Sequence, residues 1–211
     1  MEYSPGLRGV VAGETAISTV GMEGTSLRYR GYDAIELTKT NNYEAVASLV
    51  INDSLDEKDF KKSFSKYYSQ INKDKNLNQL LNEVKEKLHP MDVVRTVVSY
   101  MGELTTLMKQ TLDNQDKTEL SARINATVCY IIASYHNENC DELDNEYLVA
   151  SSLLPNNSDK EKLEALDDML ILYAEHGFNA STFAARVTAS TRSDLTSAIV
   201  SGIGTLKGEL H

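Results

Sequence analysis

The sequence predicts an all-α protein that carries a short β-hairpin near its N-terminus. Apolar residues recur at helical spacing from Gly31 onward, and only three prolines occur among the 211 residues. Five of the eleven glycines, by contrast, lie within the first thirty residues. We therefore divide the chain into an N-terminal segment that contains the hairpin, residues 1–32, and a helical body, residues 33–211.

The hairpin is predicted from two β-favouring runs, Thr15–Val20 and Ser26–Arg30, which flank the loop Gly21–Gly24. An isolated hairpin is only marginally stable in water, because two strands bury little apolar surface. We therefore expect this hairpin to pack against the helical body or against a partner chain.

The first helices are predicted from their capping residues. Asp33, followed three residues later by Glu36, is typical of a capped helix start. Asn42 is suited to cap a second helix, because its side-chain oxygen can accept from an amide of the first turn. Asp56 is predicted to begin a third helix, along which aromatic residues recur at helical steps.

The remaining helices are predicted from the spacing of their apolar residues. Pro90–Met108 contains β-branched residues that suit a strand, but its length and continuing apolar stripe favour a helix. In Thr118–His136 the stripe includes Ile132 and Tyr135, which are predicted to face inward. The further predicted helices are Leu77–Leu88, Asp144–Leu153, Asp159–Glu175 after a Ser158 cap, and a last helix that Asp194 caps.

Two glycines interrupt the last helix before Gly208 ends it. Gly202 and Gly204 each cost about 1 kcal/mol relative to alanine in a helix interior. Such a cost indicates that another helix approaches closely at this point. That helix belongs either to the core of the same chain or to a second subunit across an interface.

Composition excludes several classes of partner. The formal net charge of −10 disfavours binding to nucleic acid or to an anionic membrane surface. The chain has no apolar stretch of membrane-spanning length and no export signal. Cys129 and Cys140 fit no zinc-ligand spacing and suit a reducing compartment. We therefore expect a cytoplasmic protein without a metal.

Few residues stand out as candidates for chemistry by spacing alone. The sequence has no phosphate-binding loop and no helical pair of metal-binding histidines, and Cys129 lies in an apolar run that is typical of a core. His176 ends a predicted helix, where it either bonds the last carbonyls or donates to an anionic ligand. Spacing alone favours the first role for His176 and an unstructured position for His211.

Five blocks of residues, in this order and spacing, resemble the citrate synthase family. The second half of the first block, Ala12–Gly21, and the third block resemble the branch that makes 2-methylcitrate more than ordinary citrate synthases. The blocks are Gly6–Gly21, Tyr29–Asp33, His89–Thr96, Glu175–Thr182 and Leu206–His211.

The resemblance implies a large helical domain and a Claisen-type condensation. In this reaction an acyl-CoA, propionyl-CoA in the methylcitrate branch, loses an α-proton to a carboxylate and then attacks the keto group of oxaloacetate. His176 matches the histidine that binds oxaloacetate, and Asn179 is expected to help position that substrate. His211 matches the catalytic histidine that donates to the thioester oxygen. Arg30 and Arg95 lie in matching blocks without an assigned substrate contact.

The resemblance also implies a homodimer whose subunits pair through helices of the large domain. It implies no cofactor, because the acyl-CoA is a substrate. The sequence ends at the residue that matches the catalytic histidine, and Glu209 stands where proline is common. The second oxaloacetate histidine, the α-proton base, the carboxylate-binding arginines and the small domain follow later in the family. We therefore expect the 211-residue chain alone to be inactive.

Three alternatives stay open. The acyl donor is acetyl-CoA in an ordinary citrate synthase, and one methylene changes selectivity by only about 1–3 kcal/mol. The chain is also consistent with a noncatalytic helical dimerisation module, whose small-residue face around Ala198, Gly202 and Gly204 forms the contact. A split enzyme, whose second chain supplies the small domain, is the third.

Overall fold

The computed structural model describes residues 12–20, 26–102, 113–136, 143–156, 158–209 and 211. These residues form ten α-helices, one 3-10 turn at Ser134–His136 and a three-stranded sheet. The all-α prediction is confirmed. The strands are β1 (Ser18–Thr19), β2 (Arg28–Tyr29) and β3 (Tyr32–Asp33), and the helices are α1 (Ala34–Thr40), α2 (Tyr43–Asn52), α3 (Lys58–Asn72), α4 (Lys75–Lys85), α5 (Pro90–Tyr100), α6 (Asn114–Ala133), α7 (Leu148–Leu153), α8 (Lys160–Leu172), α9 (Ala180–Ser190) and α10 (Leu195–Leu206).

The predicted hairpin is present and packs on the helical body of its own chain. Strands β1 and β2 pair antiparallel with Ser18 opposite Tyr29, while the predicted loop Gly21–Gly24 lies outside the described residues. The buried Tyr29 anchors the sheet, because its hydroxyl donates to the carbonyl oxygens of Ile171 (2.8 Å) and Leu172 (3.1 Å) at the end of α8. The prediction missed β3, which pairs antiparallel with β2.

Three of the predicted caps are confirmed. Asp33, Asn42 and Asp194 each accept backbone amide hydrogens at the starts of α1, α2 and α10. The prediction for Ser158 was wrong. Asp159 caps α8 instead, because its backbone is extended and its carboxylate accepts from the amide of Lys162 at 3.0 Å.

The main core lies between α3 and α6. Phe60, Phe64 and Tyr68 stack along α3, and the ring of Tyr68 meets that of Tyr130 edge-on at 5.6 Å. Cys129 is buried in this core, as predicted, and burial raises the pKa of its thiol to about 12. A thiol with that pKa is not a nucleophile at neutral pH. Cys140 lies outside the described residues.

The prediction that Ile132 and Tyr135 face inward along the α6 stripe was wrong. Ile132, near the end of α6, is 38% exposed. Tyr135 is 37% exposed, because it lies in the 3-10 turn after α6, where α-helical spacing no longer applies. α5 is a helix, as its length predicted, and it buries four valines, Val93, Val94, Val97 and Val98. The sequence predicted that this helix extends to Met108, but residues 103–112 lie outside the described part of the chain.

The packing of α10 explains one of its glycines. A Cβ atom on Gly202 would lie 3.3 Å from the carbonyl oxygen of Ser181 and 3.6 Å from the Cβ of Ala185, both on α9. The close approach expected at this glycine therefore occurs within the chain. None of the helices in the described part of the chain combines the length and the apolar character needed to cross a membrane.

Candidate active site

The turn that joins α8 to α9 brings His176 to the surface of a cleft. Gly177 makes this turn possible, because its φ of +73° is a conformation that side-chain-bearing residues rarely adopt. Its amide donates to Oε1 of Glu175 at 2.5 Å, and the hydroxyl of Ser18 donates to the same oxygen at 3.1 Å. The Glu175 carboxylate therefore ties the turn to strand β1.

The cleft has a volume of about 640 Å³ and lies between the hairpin and the α8–α9 turn. His176 is exposed at its surface, and Asn179 is half-buried. None of the described residues that line the cleft carries a carboxylate. The lining residues are Thr15, Ser18, Thr19, Val20, His176, Gly177, Phe178 and Asn179.

His176 does not have the role that spacing alone favoured, which was to bond the last carbonyls of its helix. The hydroxyl of Tyr29 donates to the carbonyl oxygens of Ile171 and Leu172, the last two residues of α8. The imidazole is instead presented at the cleft beside the start of α9. This position suits the second role, donation to an anionic ligand.

Asn179 caps α9 and so fixes the direction of that helix toward the cleft. Its Oδ1 accepts from the amide of Thr182 and from the hydroxyl of Ser181, both at 2.8 Å. With the oxygen engaged, the side-chain NH₂ supplies the donors of this residue. The amides at the start of α9 add partial positive charge near His176.

His211 comes to the same helix start from the end of α10. Its Nε2 accepts from the amide of Ser181 at 3.3 Å, and its own amide donates to the carbonyl oxygen of Gly208 at 3.1 Å. A ring nitrogen that accepts a hydrogen bond carries no proton, so the neutral imidazole has its proton on Nδ1. Nδ1 of His211 is therefore a donor. The structure thus brings His176, Asn179 and His211 to one end of α9.

Phe178 forms the apolar part of the cleft and was not singled out from the sequence. The guanidinium carbon of Arg186 lies 4.5 Å from the centroid of its ring. A Cβ atom on Gly13 would approach the ring to 3.0 Å, so the backbone at Gly13 passes close to it. The sequence around His176 and Gly177 could not predict the whole cleft. The hairpin residues that complete it, such as Ser18, lie about 157 positions earlier in the sequence.

The two arginines that lack an assigned substrate contact have structural partners. Arg30 donates from Nη2 to the carbonyl oxygen of Val50 at 3.1 Å. Arg95 pairs with Asp92 at 2.9 Å on α5. Neither arginine lines the cleft. Among the described residues, no group of three or more His, Cys, Asp or Glu side chains is arranged to hold a metal ion.

Comparisons with known proteins identify the family of the chain. Residues 6–211 match the family described as citrate synthase, C-terminal domain. A 2-methylcitrate synthase from Shewanella oneidensis is 39% identical over 215 residues, which cover 98% of this chain and 56% of that protein. A citrate synthase from Mycolicibacterium smegmatis is 34% identical over 215 residues, and the match covers 98% of this chain and 57% of that protein. The chain therefore spans about half the length of the curated relatives it matches.

A solved structure gives the same fold. Citrate synthase from Thermoplasma acidophilum, in a ternary complex with carboxymethyl coenzyme A and oxaloacetate, superposes with a TM-score of 0.82. The match covers 100% of this chain and 57% of the solved chain. At 24% sequence identity this similarity concerns the fold alone.

Proposed function

The chain belongs to the citrate synthase family, and from that premise we propose that it carries the oxaloacetate-binding side of an acyl-CoA condensing enzyme. The proposed acyl donor is propionyl-CoA, which gives 2-methylcitrate and CoA. The relative from Shewanella oneidensis, which matches over nearly the whole chain, supports this choice. Acetyl-CoA, giving citrate, is the alternative, and the relative from Mycolicibacterium smegmatis supports it.

The observation that carries the proposal is the convergence of two histidines on the start of α9. His176 and Asn179, the N-cap residue of α9, line the cleft, where they are suited to bind a dicarboxylate such as oxaloacetate. His211 accepts from Ser181 through Nε2, and its Nδ1 proton can be donated to a thioester oxygen. Such a donor stabilises the negative charge that develops on this oxygen as the enolate forms.

The proposed reaction also needs a base for the α-proton. In the proposed order of steps, this base first takes the α-proton. The enolate carbon then bonds to the keto carbon of oxaloacetate. Water finally cleaves the thioester and releases CoA. A general base must lie within hydrogen-bond reach of the proton it removes. The described cleft lining contains no carboxylate, and the nearby Glu175 carboxylate accepts from Ser18 and Gly177. Because the chain spans about half the length of its relatives, we propose that the base belongs to the part of the enzyme that those relatives have in addition. The chain alone should then bind oxaloacetate weakly, since the carboxylate-binding arginines that the resemblance implies are also outside it, and should show no turnover.

The test is calorimetric titration of the purified chain with oxaloacetate, followed by a CoA-release assay with propionyl-CoA and acetyl-CoA. We expect His176→Ala to weaken oxaloacetate binding roughly tenfold or more, since a hydrogen bond to a charged ligand is lost. His136→Ala is the matched control, because His136 is exposed in the 3-10 turn after α6 and does not line the cleft. We expect this control to bind oxaloacetate like the wild-type protein.

Each other outcome has a defined meaning. CoA release at ordinary rates by the chain alone would show that the 211 residues already hold a base. A folded chain that binds no oxaloacetate would overturn the proposed site. If that chain also sediments as a dimer, the noncatalytic helical module becomes the better account. The exposed apolar residues Tyr100 on α5 and Val187 on α9 favour an association of this kind.

A further inference from the structure

One carboxylate joins the start of α5 to the end of α10. Asp92, in the first turn of α5, accepts from Nζ of Lys207 at 2.6 Å through Oδ2. Its Oδ1 accepts from Nη2 of Arg95 at 2.9 Å. The hydrogen bond from Lys207, followed by the charges of Lys207, Arg95 and His89, holds the pKa of the Asp92 carboxyl below its usual range. Asp92 is thus a charged link between two helices.

The contact between the two helices continues one turn along. The side chain of Arg95 lies beside Gly204, where a Cβ atom would be 3.8 Å from Nη1 and 3.9 Å from Cδ. The Asp92 side chain is 20% exposed and is shared by two cationic partners. A carboxylate held by two partners fixes geometry better than an isolated surface pair does.

The end of α10 in turn determines where His211 lies. Lys207 is the C-cap residue of α10, and the amide of Gly208 donates back to the carbonyl oxygen of Thr205 at 3.0 Å. The amide of His211 then donates to the carbonyl oxygen of Gly208 at 3.1 Å. These two short-range bonds join the last turn of α10 to the backbone of His211. A movement of Lys207 is therefore transmitted to the imidazole.

We propose that Asp92 is a positioning residue for His211. Together with Lys207 and Arg95 it fixes the end of α10 on α5, and so holds the His211 imidazole against the amide of Ser181. The importance of this position for catalysis rests on the proposed function, but the position itself does not. A purely local role for Asp92, as an acidic residue in the first turn of α5, would leave the contact between His211 and Ser181 unchanged.

Hydrogen exchange at the Ser181 amide reports this contact directly. Ser181 is the second residue of α9, where amides have no acceptor within the helix, and its amide donates to His211. The neighbouring amide of Thr182 donates to Asn179 instead and serves as an internal reference. We expect Lys207→Met and Asp92→Asn each to accelerate exchange at Ser181 roughly three- to fivefold relative to Thr182.

Two further variants separate positioning from general destabilisation. Lys207→Arg keeps the charge and should restore exchange at Ser181 to within about twofold of the wild-type rate. Lys39→Met removes an exposed ion pair of 2.7 Å with Glu36, far from this contact, and should leave the ratio of the two rates unchanged. Equal acceleration at Ser181 and Thr182, or no acceleration, in both Lys207→Met and Asp92→Asn would overturn the proposal. Because the measurement uses no substrate, failure of oxaloacetate binding would leave this result intact.

Discussion

Gly177 adopts its left-handed conformation between His176 and Phe178, at the tightest point of the α8–α9 turn. Its φ of +73° would place a side chain in a conformation that costs about 1–2 kcal/mol for residues other than glycine. Space is not the obstacle, since the nearest atom to a built Cβ is the hydroxyl of Ser18 at 3.7 Å. The conformation of the backbone therefore requires glycine here.

We predict that Gly177→Ala lowers the free energy of unfolding by about 1–2 kcal/mol and also weakens oxaloacetate binding. The binding loss follows because a relaxed turn moves His176 and breaks the bond between the Gly177 amide and Glu175. Chemical denaturation and calorimetry measure the two effects. Gly102→Ala is the control, because Gly102 lacks a positive φ and none of the described residues has an atom within 4 Å of its Cβ position. We expect unchanged or slightly higher stability for this variant. Equal effects of both substitutions would contradict the argument.

The sequence predicted the individual site residues unequally. His176 and Asn179 are close in sequence, so a local motif was sufficient to place them together. His211 meets Ser181 across 30 positions. For all three residues the predicted role came from the family resemblance, because spacing alone favoured another role for His176 and an unstructured position for His211. Spacing did not indicate the part played by Ser18, because contacts between a hairpin and a distant turn depend on how the whole chain folds.

The crossing of α9 and α10 shows what a small residue contributes to helix packing. Gly202 faces α9 at a distance that a methyl group can occupy only if the helices separate by a few tenths of an ångström. Gly204 faces α5, where the nearest atoms belong to the flexible side chain of Arg95 at 3.8 Å and 3.9 Å. The two glycines therefore have different reasons to be small.

We predict that Gly204→Ala raises the free energy of unfolding by about 0.5–1 kcal/mol, since it gains helix propensity without a clash. Gly202→Ala should gain less or lose stability, because its methyl group presses on the carbonyl oxygen of Ser181. It should also accelerate hydrogen exchange at the Ser181 amide. The two substitutions are chemically identical and two residues apart, so each is the control for the other in urea denaturation. Equal gains at both positions would contradict the packing argument.

The helices were largely predictable because apolar residues recur along them at helical spacing and most begin with a side-chain cap, which only α3 and α7 lack among the described helices. The sequence predicted Ser158 as the cap of α8, one residue before the actual cap, Asp159. The two could not be distinguished because both side chains are suitable caps. The short strand β3 escaped prediction because two residues contain no periodicity. It forms only because Arg30 and Gly31, with φ of 50° and 90°, turn the chain back on β2.

Two buried carboxylates connect helices that lie far apart in sequence. Asp167 on α8 accepts from the amide of Tyr43 at the start of α2, at 3.1 and 3.0 Å. Glu44 on α2 accepts from the amide of Val149 near the start of α7, at 2.7 Å. Both residues are buried, with 2% and 0% exposure. Nothing in the sequence marked them for burial, because their role depends on the arrangement of three helices.

Burial raises the pKa of both carboxyls, and that of Asp167 reaches about 7, with smaller upward contributions from the charges of Glu44 and Asp168. In the unfolded chain these groups titrate near pH 4. Between pH 4 and 7 the folded protein therefore binds more protons than the unfolded chain. The contribution of Asp167 to stability is complete below pH 4, falls as the pH rises to 7, and stays low above it.

We predict that Asp167→Asn makes the protein about 1–3 kcal/mol more stable than wild type at pH 8 and nearly equal to it at pH 4.5. Asparagine keeps an oxygen that can accept from the Tyr43 amide, while the buried charge is removed. Asp168→Asn is the control, because Asp168 is exposed, and it should change stability by less than about 0.5 kcal/mol. Urea denaturation from pH 4.5 to 8 measures all three proteins. A stability curve for Asp167→Asn that runs parallel to the wild-type curve would show that Asp167 does not titrate in this range.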